Sequence, residues 1–202
     1  MTDALVIGAG PAGLIAAQML AEAGLSVTIA DAMPSVGRKF LMAGKSGLNL
    51  TKAEPDDAFL AAYGGLSPAM QTALDGFGPS DVMAWAEELG QPLFTGSTGR
   101  VFPNVMKASP LLRAWLAKLN GLGVTLQTRW RWQGWDGTLA LFDTPDGPAN
   151  LAPRVTVLAL GGGSWARLGS DGQWAAHLQE AVAPFAPTNV GFVVDWSAHM
   201  AP

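Results

Sequence analysis

Three glycines near the N-terminus have the spacing of a turn that binds the pyrophosphate of a dinucleotide. Gly8, Gly10 and Gly13 follow directly after the apolar run 4–7 and precede a long apolar helical pattern. In such a turn the first glycine permits a tight bend, and the second lets the backbone approach the phosphates. The third allows the helix to pack closely against the strand, and the helix N-terminus offers free N–H groups to the anion.

An acidic residue follows where this pattern needs one. Asp31 ends the second predicted strand, 25–30, and its carboxylate can accept hydrogen bonds from the hydroxyls of an adenosine ribose. Strand, glycine turn, helix, second strand and acid all occur in register, so the pattern favours a dinucleotide site over a purely structural turn. We therefore expect Pro11, Ala12 and Ala32 to lie beside the same ligand.

A basic loop follows this acid. Four basic residues and no acidic one occur between Asp31 and Glu54, namely Arg38, Lys39, Lys45 and Lys52. Glycines combined with local positive charge suit a loop folded over a diphosphate. The same composition suits a solvated loop that balances the acids that follow it, and charge alone leaves both interpretations open.

A second strand that ends in glycines predicts another contact with the same ligand. The apolar run 155–160 leads into Gly161 and Gly162. It follows a predicted β-meander that begins at Val124 and has turns at 136–137 and 146–147. The chain thus delivers glycines from the ends of two strands.

These motifs require a fold in which helices and strands alternate. Helices are predicted over 11–23, 80–89 and 109–121, the last with Ser109 as its N-cap. Strands are predicted over 4–7, 25–30, 124–132, 138–142, 154–160 and 190–194. Residues 33–55 are expected to form an ordered loop with at most one helical turn.

The pattern predicts an α/β, Rossmann-like domain with a parallel sheet that extends over residues 1–202. Within it we expect a mainly helical insertion over 51–122, followed by a β-meander crossover and a closing strand over 123–160.

Composition and charge exclude several classes of protein. The 202 residues are 49% hydrophobic, which is enough for one buried core, and the chain has no cysteine. Disulfide bonds, thiolate catalysis and cysteine redox pairs are thereby excluded. A net charge of −4 gives no general affinity for nucleic acids or anionic membranes, so we expect neither as a partner. Neither a signal peptide nor a membrane span is predicted, and we expect a cytoplasmic protein.

The two histidines and a cluster of tryptophans are the other residue types that could bind a ligand. His177 and His199 lack acidic or cysteine neighbours at ligand spacing, so we expect no metal site. Trp130, Trp132 and Trp135 cluster on one predicted strand. We expect these tryptophans to pack in the core or to cover an adenine.

The order of the segments resembles that of a family of bacterial flavoproteins. A strand delivering glycines, then a meander, then another such strand is how flavoproteins with two dinucleotide-binding domains close an FAD site. The resemblance is carried by four segments: VIGAGPAGLIAAQMLAEAG, PSVGRKFLMAGKSGLNLT, GRVFPNVMKASPLLRAWL and LALGGGSWARLGSDGQWA. The chain resembles the N-terminal half of the BaiN-like or aminoacetone-oxidase-like NAD(P)/FAD-dependent oxidoreductases.

The resemblance implies where individual residues would contact FAD. Asp31 would bind the adenosine ribose, and backbone groups near Trp132 would contact the adenine. Asn49 and Thr51 would face the ribityl chain or the flavin.

The pyrophosphate would be held by the three glycines of the first turn and by four further residues. These are Arg38, Lys39, Gly161 and Gly162. The resemblance assigns no catalytic residue and no substrate.

The resemblance also implies a reaction, a hydride transfer between FAD and either NAD(P)H or an organic substrate. We expect this chain to hold the FAD-binding part of such an enzyme and to show little activity alone, because the family's substrate domain and final FAD-binding strand are expected outside it. Two alternatives stay open, a non-catalytic module that binds FAD or ADP and an NAD(P)-binding domain without flavin.

Overall fold

A computed structural model describes residues 2–178 and 182–187. Its strands are β1 (Ala4–Ile7), β2 (Val27–Asp31), β3 (Thr51–Lys52), β4 (Leu93–Thr95), β5 (Arg100–Pro103), β6 (Thr125–Thr128), β7 (Arg131–Asp136), β8 (Leu139–Thr144), β9 (Gly147–Leu151) and β10 (Val155–Leu158). Its helices are α1 (Pro11–Glu22), α2 (Arg38–Ala43), α3 (Asp56–Ala61), α4 (Pro68–Gly76), α5 (Pro79–Glu88) and α6 (Ala108–Gly121). Two short 3-10 helices follow, Ala166–Leu168 and Gln173–Leu178. The predicted strand 190–194 and His199 lie outside the described residues.

A parallel sheet in the order β10-β1-β2-β6 forms the centre of the fold. Ala4 of β1 lies opposite Val27 of β2 on one side and Val155 of β10 on the other. Parallel strands need a crossover between them, and α1 supplies the one from β1 to β2. The carboxyl ends of these strands therefore meet at one edge of the sheet, and the predicted α/β, Rossmann-like class is confirmed.

The two faces of the parallel sheet bury different layers. Val6 packs on one face with Leu14 of α1 and Leu111 of α6. Leu5 packs on the other face with Phe142 of the meander β7-β8-β9. Successive side chains of a strand point to opposite faces, so a continuously apolar β1 serves both layers at once.

Gln18 joins α1 to two other helices through a buried amide. Its Oε1 accepts a hydrogen bond from the indole N–H of Trp115 at 2.8 Å and lies 3.4 Å from that of Trp85. The two indole rings pack edge to face, with their centroids 4.6 Å apart. Removing the shared acceptor would leave buried donors unpaired, at a cost of about 1–3 kcal/mol.

Within the described residues, no helix has the length and apolarity that crossing a bilayer requires.

The predicted strand 124–132 divides into two strands that belong to different sheets. The division falls at Arg129, whose φ of +60° turns the chain. β6 joins the parallel sheet beside β2, whereas β7 begins the antiparallel meander. The prediction of a meander that begins at Val124 is therefore wrong, because both halves have the same strand-like composition and periodicity does not locate the break.

A three-stranded antiparallel sheet, in the order β3-β5-β4, lies within the region predicted to be mainly helical. Its strands have two to four residues each and are flanked by Pro92, Gly96 and Gly99. Proline and glycine beside such short runs hide the alternation by which a strand is recognised. The insertion thus combines α3–α6 with a small sheet.

The start of α6 is set by tertiary packing. The helix begins at Ala108 with Lys107 as its N-cap, so the prediction of Ser109 as N-cap is wrong. Ala108 is buried, and its methyl would lie 2.5 Å from a Cβ added to Gly44. This close contact extends the helix beyond the position that the local sequence favours.

Candidate functional site

A cleft of about 810 Å³ opens at the carboxyl ends of β1, β2 and β10. Its walls come from four parts of the chain, which are the first glycine turn, the end of β2 with α2, the start of the meander and the segment after β10. In open α/β sheets this edge is where ligands bind. The position of the cleft therefore agrees with the site predicted from the glycine spacing.

At each position of the first turn, a different feature of the structure requires or favours glycine. Gly8 has a φ of +107°, and a Cβ there would lie 2.3 Å from the carbonyl oxygen of Ala159. A Cβ on Gly13 would lie 1.8 Å from the carbonyl oxygen of Gly8, so only glycine lets α1 approach β1. Nothing lies within 4 Å of a Cβ added to Gly10, which lines the cleft. Gly8 and Gly13 thus serve the fold, and Gly10 leaves space for a ligand.

The N-terminus of α1 faces this space. Gly10 is the N-cap and provides no side-chain acceptor, and the first turn contains no acidic residue. Pro11 and Ala12 are exposed and line the cleft. The free N–H groups of a helix N-terminus attract an anion, so the end of α1 suits a phosphate better than a neutral group.

Asp31 ties the end of β2 to the glycine turn. Its Oδ2 accepts a hydrogen bond from the backbone N–H of Ala9 at 2.6 Å, and its Oδ1 accepts one from that of Met33 at 2.8 Å. A carboxylate has about four lone-pair directions, so each oxygen keeps capacity for a ligand hydroxyl. The side chain can therefore shape the turn and bind a ribose at the same time.

Two basic side chains of α2 line the cleft with different contacts. Lys39 Nζ donates to Ser164 Oγ at 3.2 Å and to Ser170 Oγ at 3.3 Å. These contacts hold the segment after β10 against α2. Arg38 Nη1 lies 3.3 Å from Ser35 Oγ, and its buried Nε has no hydrogen-bond partner among the described residues.

Tryptophans form the opposite wall. Trp132 is 6% exposed and packs edge-on against Trp135 and His177, with ring centroids 5.6 and 5.2 Å away. The indole Nε1 atoms of Trp132 and Trp174 are buried without a hydrogen-bond partner in the described part of the chain. Because a buried unpaired donor costs free energy, these two N–H groups indicate that a ligand supplies acceptors here.

Most of the predicted site residues line this cleft. They are Gly8, Gly10, Pro11, Ala12, Asp31, Ala32, Arg38, Lys39, Trp132 and Gly161. Gly13 lies beneath the turn, and Gly162 is outside the lining. Asn49 is exposed, and Thr51 pairs with Val101 in the small sheet, so neither lines the cleft. Their contact with the flavin end of FAD stays a prediction.

Sequence reasoning missed the wall formed by the segment after β10. Ser170, Trp174 and His177 line the cleft, as do Arg131 and Asp171, whose Nη1 and Oδ2 atoms are 3.8 Å apart. The sequence of this segment has no helical or strand period, and the family resemblance assigns roles in it only to Gly161 and Gly162. Across residues 2–178 and 182–187, no three His, Cys, Asp or Glu side chains are grouped as metal ligands would be.

Comparison with known proteins gives local sequence similarity to a curated protein and several similar folds. The ribosomal RNA dihydrouridine synthase of Haemophilus influenzae (strain ATCC 51907 / DSM 11121 / KW20 / Rd) is 45% identical over 53 residues, which cover 26% of this chain and 13% of that protein. The chain is also similar to the 3-ketosteroid-Δ4-(5α)-dehydrogenase of Rhodococcus jostii RHA1, with a TM-score of 0.60 and 16% identity over 80% of this chain and 46% of that one.

The glycine oxidase of Geobacillus kaustophilus has a similar fold as well. The TM-score is 0.54 and the identity is 17%, over 88% of this chain and 58% of that one. At such low identity the two structural likenesses show a shared fold. This chain spans less than two thirds of the length of each of these three proteins.

The sequence profile of one family covers nearly the whole chain. It describes the HI0933-like protein Rossmann domain and matches residues 2–195, a range that includes the glycine turn, Asp31 and β10. The chain therefore belongs to the HI0933-like protein family, as its Rossmann domain.

Proposed function

We propose that this chain is the FAD-binding portion of a flavin-dependent oxidoreductase. The observation that carries the proposal is the cleft at the carboxyl edge of the parallel sheet, where Gly10, the N-terminus of α1 and Asp31 meet. Membership of the HI0933-like family and the fold shared with a steroid dehydrogenase and a glycine oxidase support it.

The side chains and backbone groups of the cleft fit FAD. The open space at Gly10 suits the pyrophosphate, and Asp31 has acceptor capacity for the adenosine ribose. The unpaired N–H groups of Trp132, Trp174 and Arg38 would find acceptors in the adenine ring and the phosphate oxygens. A dinucleotide with two phosphates and an adenine therefore satisfies groups that this chain leaves unsatisfied.

Bound FAD supplies hydride-transfer chemistry, and the protein binds, orients and shields it. In this chain the shielding falls to the tryptophan wall and to the segment after β10, which Lys39 holds against α2 through Ser164 and Ser170. The described residues bind the cofactor, and the proposal assigns none of them to proton transfer.

The finer parts of the proposal are membership of the BaiN-like or aminoacetone-oxidase-like group, NAD(P)H as electron donor and a cytoplasmic location. The segment 34–51 supports the group, because its length and order are not needed by FAD-binding folds in general. The alternatives are a non-catalytic module for FAD or ADP and an NAD(P)-binding domain without flavin.

Identification of the bound cofactor tests the proposal. The purified protein is mildly denatured, and the released compound is examined by absorbance and mass. A flavin spectrum with the mass of FAD is expected. Release of NAD(P) without flavin would overturn the proposal. Because this chain alone is expected to show little activity, reduction of the bound FAD separates the oxidoreductase from the non-catalytic module only in a longer protein that includes the family's substrate domain.

The Haemophilus relative favours a second, more specific candidate, the reduction of a nucleobase in RNA. The supporting observation is its 45% identity over 53 residues. In such a reaction a hydride and a proton add across the C5–C6 double bond of uracil. RNA from cells with and without the gene should then differ by nucleosides that are two hydrogens heavier than uridine, and identical nucleoside profiles would exclude this candidate.

A further inference from the structure

The small sheet β3-β5-β4 presents an aromatic outer face that the core does not use. Phe94 of β4 lies directly opposite Phe102 of β5, and their rings stack with centroids 5.6 Å apart and planes at 24°. Phe94 is 41% exposed. Val101 and Pro103 alternate with Phe102 and are fully buried on the opposite face. Packing of the small sheet is thus provided by its inner face, and the exposed ring of Phe94, stacked on the half-buried Phe102, remains available to a partner.

The same outer face also contains cations. Arg100 is two residues from Phe102 and therefore shares its face, and Lys52 of β3 lies directly opposite Arg100. Like charges in such a pair repel each other, so this arrangement costs stability unless an anion is nearby. Glu54 forms an ion pair with Lys52, whereas Arg100 has no ion pair with any of the described residues. One exposed guanidinium beside a stacked aromatic pair is left for an external anion.

A loop before β3 extends the cationic surface. A Cβ on Gly47 would lie 2.8 Å from Met106 Cε and 3.8 Å from the ring of Phe102, so this loop contacts the edge of the aromatic pair. Lys45 is exposed in the same loop. A Cβ at position 47 would be too close to Met106 and in ordinary contact with the ring of Phe102, so the loop borders the aromatic pair without covering it.

We propose that this surface, named here the Phe94–Phe102 face, binds single-stranded RNA. Exposed aromatic rings stack on unpaired bases of any sequence, and Arg or Lys groups beside them bind the phosphates. Arg100 and Lys52 lie on the same face as the stacked rings, and Lys45 is exposed in the neighbouring loop. The combination of ring faces and flanking cations matches the alternation of bases and phosphates in a single strand.

The net charge of −4 does not oppose this inference, because the charge is unevenly distributed along the chain. No acidic residue occurs between Glu88 and Asp136, a range that includes β4 and β5 and six basic residues. Local rather than total charge attracts a polyanion to a face. The choice of RNA over DNA rests on the second candidate function above, whereas the existence of the binding face rests on its own geometry.

Binding of a fluorescein-labelled oligouridine of about twelve nucleotides, followed by anisotropy on the FAD-loaded protein, tests the proposal. Phe94→Ala should weaken binding by roughly 5- to 150-fold, the range for loss of one stacked base, and Phe94→Tyr should restore it. The matched control is Phe77→Ala, because Phe77 is 42% exposed and lies outside the small sheet. Equal losses for Phe94→Ala and Phe77→Ala would overturn the proposal.

A salt series tests the electrostatic part. Arg100→Gln should reduce the slope of log K against log salt by about 0.7, as expected for one lost phosphate contact on a single strand. Arg113→Gln, which removes the same charge from the exposed face of α6, should leave the slope unchanged. Equal slopes for both variants would overturn the proposal, and tighter binding of a single-stranded DNA oligonucleotide of the same length would overturn the choice of RNA.

FAD titration of every variant separates this inference from the proposed function. Phe94→Ala and Arg100→Gln should bind FAD as the wild type does, since neither residue lines the cleft. Wild-type protein that binds FAD but no RNA would overturn the RNA inference alone, and protein that binds RNA but no FAD would overturn the proposed function alone. Dimerisation lost in Phe94→Ala, without RNA binding, would show a protein interface and overturn the inference.

Discussion

Substitutions at different glycines of the first turn should affect ligand binding and folding separately. Gly10→Val adds a side chain where nothing lies within 4 Å of the Cβ, so the fold should remain while the pyrophosphate loses its space. We expect FAD binding to weaken at least about 100-fold, or roughly 2.7 kcal/mol, with unchanged circular dichroism. Gly13→Ala is the opposite control, because its Cβ would lie 1.8 Å from a backbone oxygen and should destabilise the fold. Wild-type affinity in Gly10→Val would mean that the phosphates bind elsewhere.

The sequence predicts one contact of Asp31, and the structure shows two others. The position of an acid at the end of β2 predicts a ribose contact. The bonds from Ala9 and Met33 appear only in the folded chain, because they depend on how the turn closes. A residue chosen for binding therefore also stabilises the site.

Asp31→Ala should accordingly lower both affinity and stability. Loss of charged hydrogen bonds should weaken binding of ADP by about 1–3 kcal/mol in calorimetry. The free energy of unfolding in urea should also fall, since the N–H of Ala9 loses its acceptor. An unchanged affinity for ADP would remove Asp31 from the site, and an unchanged stability would show that its two backbone contacts contribute little.

At the scale of elements, the first two residues of α2 should contribute in different ways. Arg38→Gln should weaken ADP binding more at low salt than at high salt, because screening already suppresses the attraction between charges. Lys39→Gln should add a loss that salt does not change, since Lys39 also holds Ser164 and Ser170 against α2. Titrations at two salt concentrations measure both effects. Identical salt dependence for the two variants would contradict the assigned difference.

The packing of α6 against α1 gives a prediction for pH. Lys118 Nζ lies 2.9 Å from Glu22 Oε1, and its hydrogen bond lowers the pKa of Glu22. A lowered pKa in the folded state adds stability above the unfolded pKa of about 4.3, and this stability is lost as pH falls through the folded value. Lys118→Met should therefore destabilise the protein at pH 7 by a few tenths to about 1 kcal/mol, the range for exposed pairs.

At a pH well below the lowered pKa of Glu22, the difference between Lys118→Met and wild type should nearly disappear, because Glu22 is then protonated in both. Arg113→Met on the same helix is the control, since Arg113 is exposed. Urea unfolding over a range of pH provides the measurement. A difference that persists in acid would mean that the aliphatic part of Lys118, rather than its charge, supports the packing.

The sequence predicts some elements much better than others, for physical reasons. α1 and α5 extend over Pro11–Glu22 and Pro79–Glu88, within two residues of their predicted ranges, because proline starts and apolar periodicity mark them. β4 and β5 are too short for alternation to show, and the break between β6 and β7 depends on one residue, Arg129, with a positive φ. Local pattern thus suffices for long elements, whereas short strands are decided by their partners in the sheet.

At the scale of the whole molecule, the cleft joins segments that are far apart in the sequence. The glycine turn belongs to the parallel sheet, Trp132 belongs to the meander, and the segment 161–178 has only two short 3-10 helices. The sequence predicts the first of these parts from a motif. It predicts only the start of the last part, at Gly161 and Gly162, because the rest of that wall exists only where Lys39 and Trp132 meet the segment in the folded chain.

Binding of FAD should therefore slow amide hydrogen exchange in separated segments at once. We expect protection over 8–13 and 31–39, and the largest gain over 161–178, where few backbone hydrogen bonds exist without ligand. A ligand that binds only the folded state at 100 times its Kd stabilises that state by about 2.7 kcal/mol, which is enough for a clear change in exchange. Residues 93–103 line no part of the cleft and serve as an internal control that should stay unchanged. Protection confined to 8–13 would show that the segment after β10 does not close over the cofactor, and that the tryptophan wall needs another explanation.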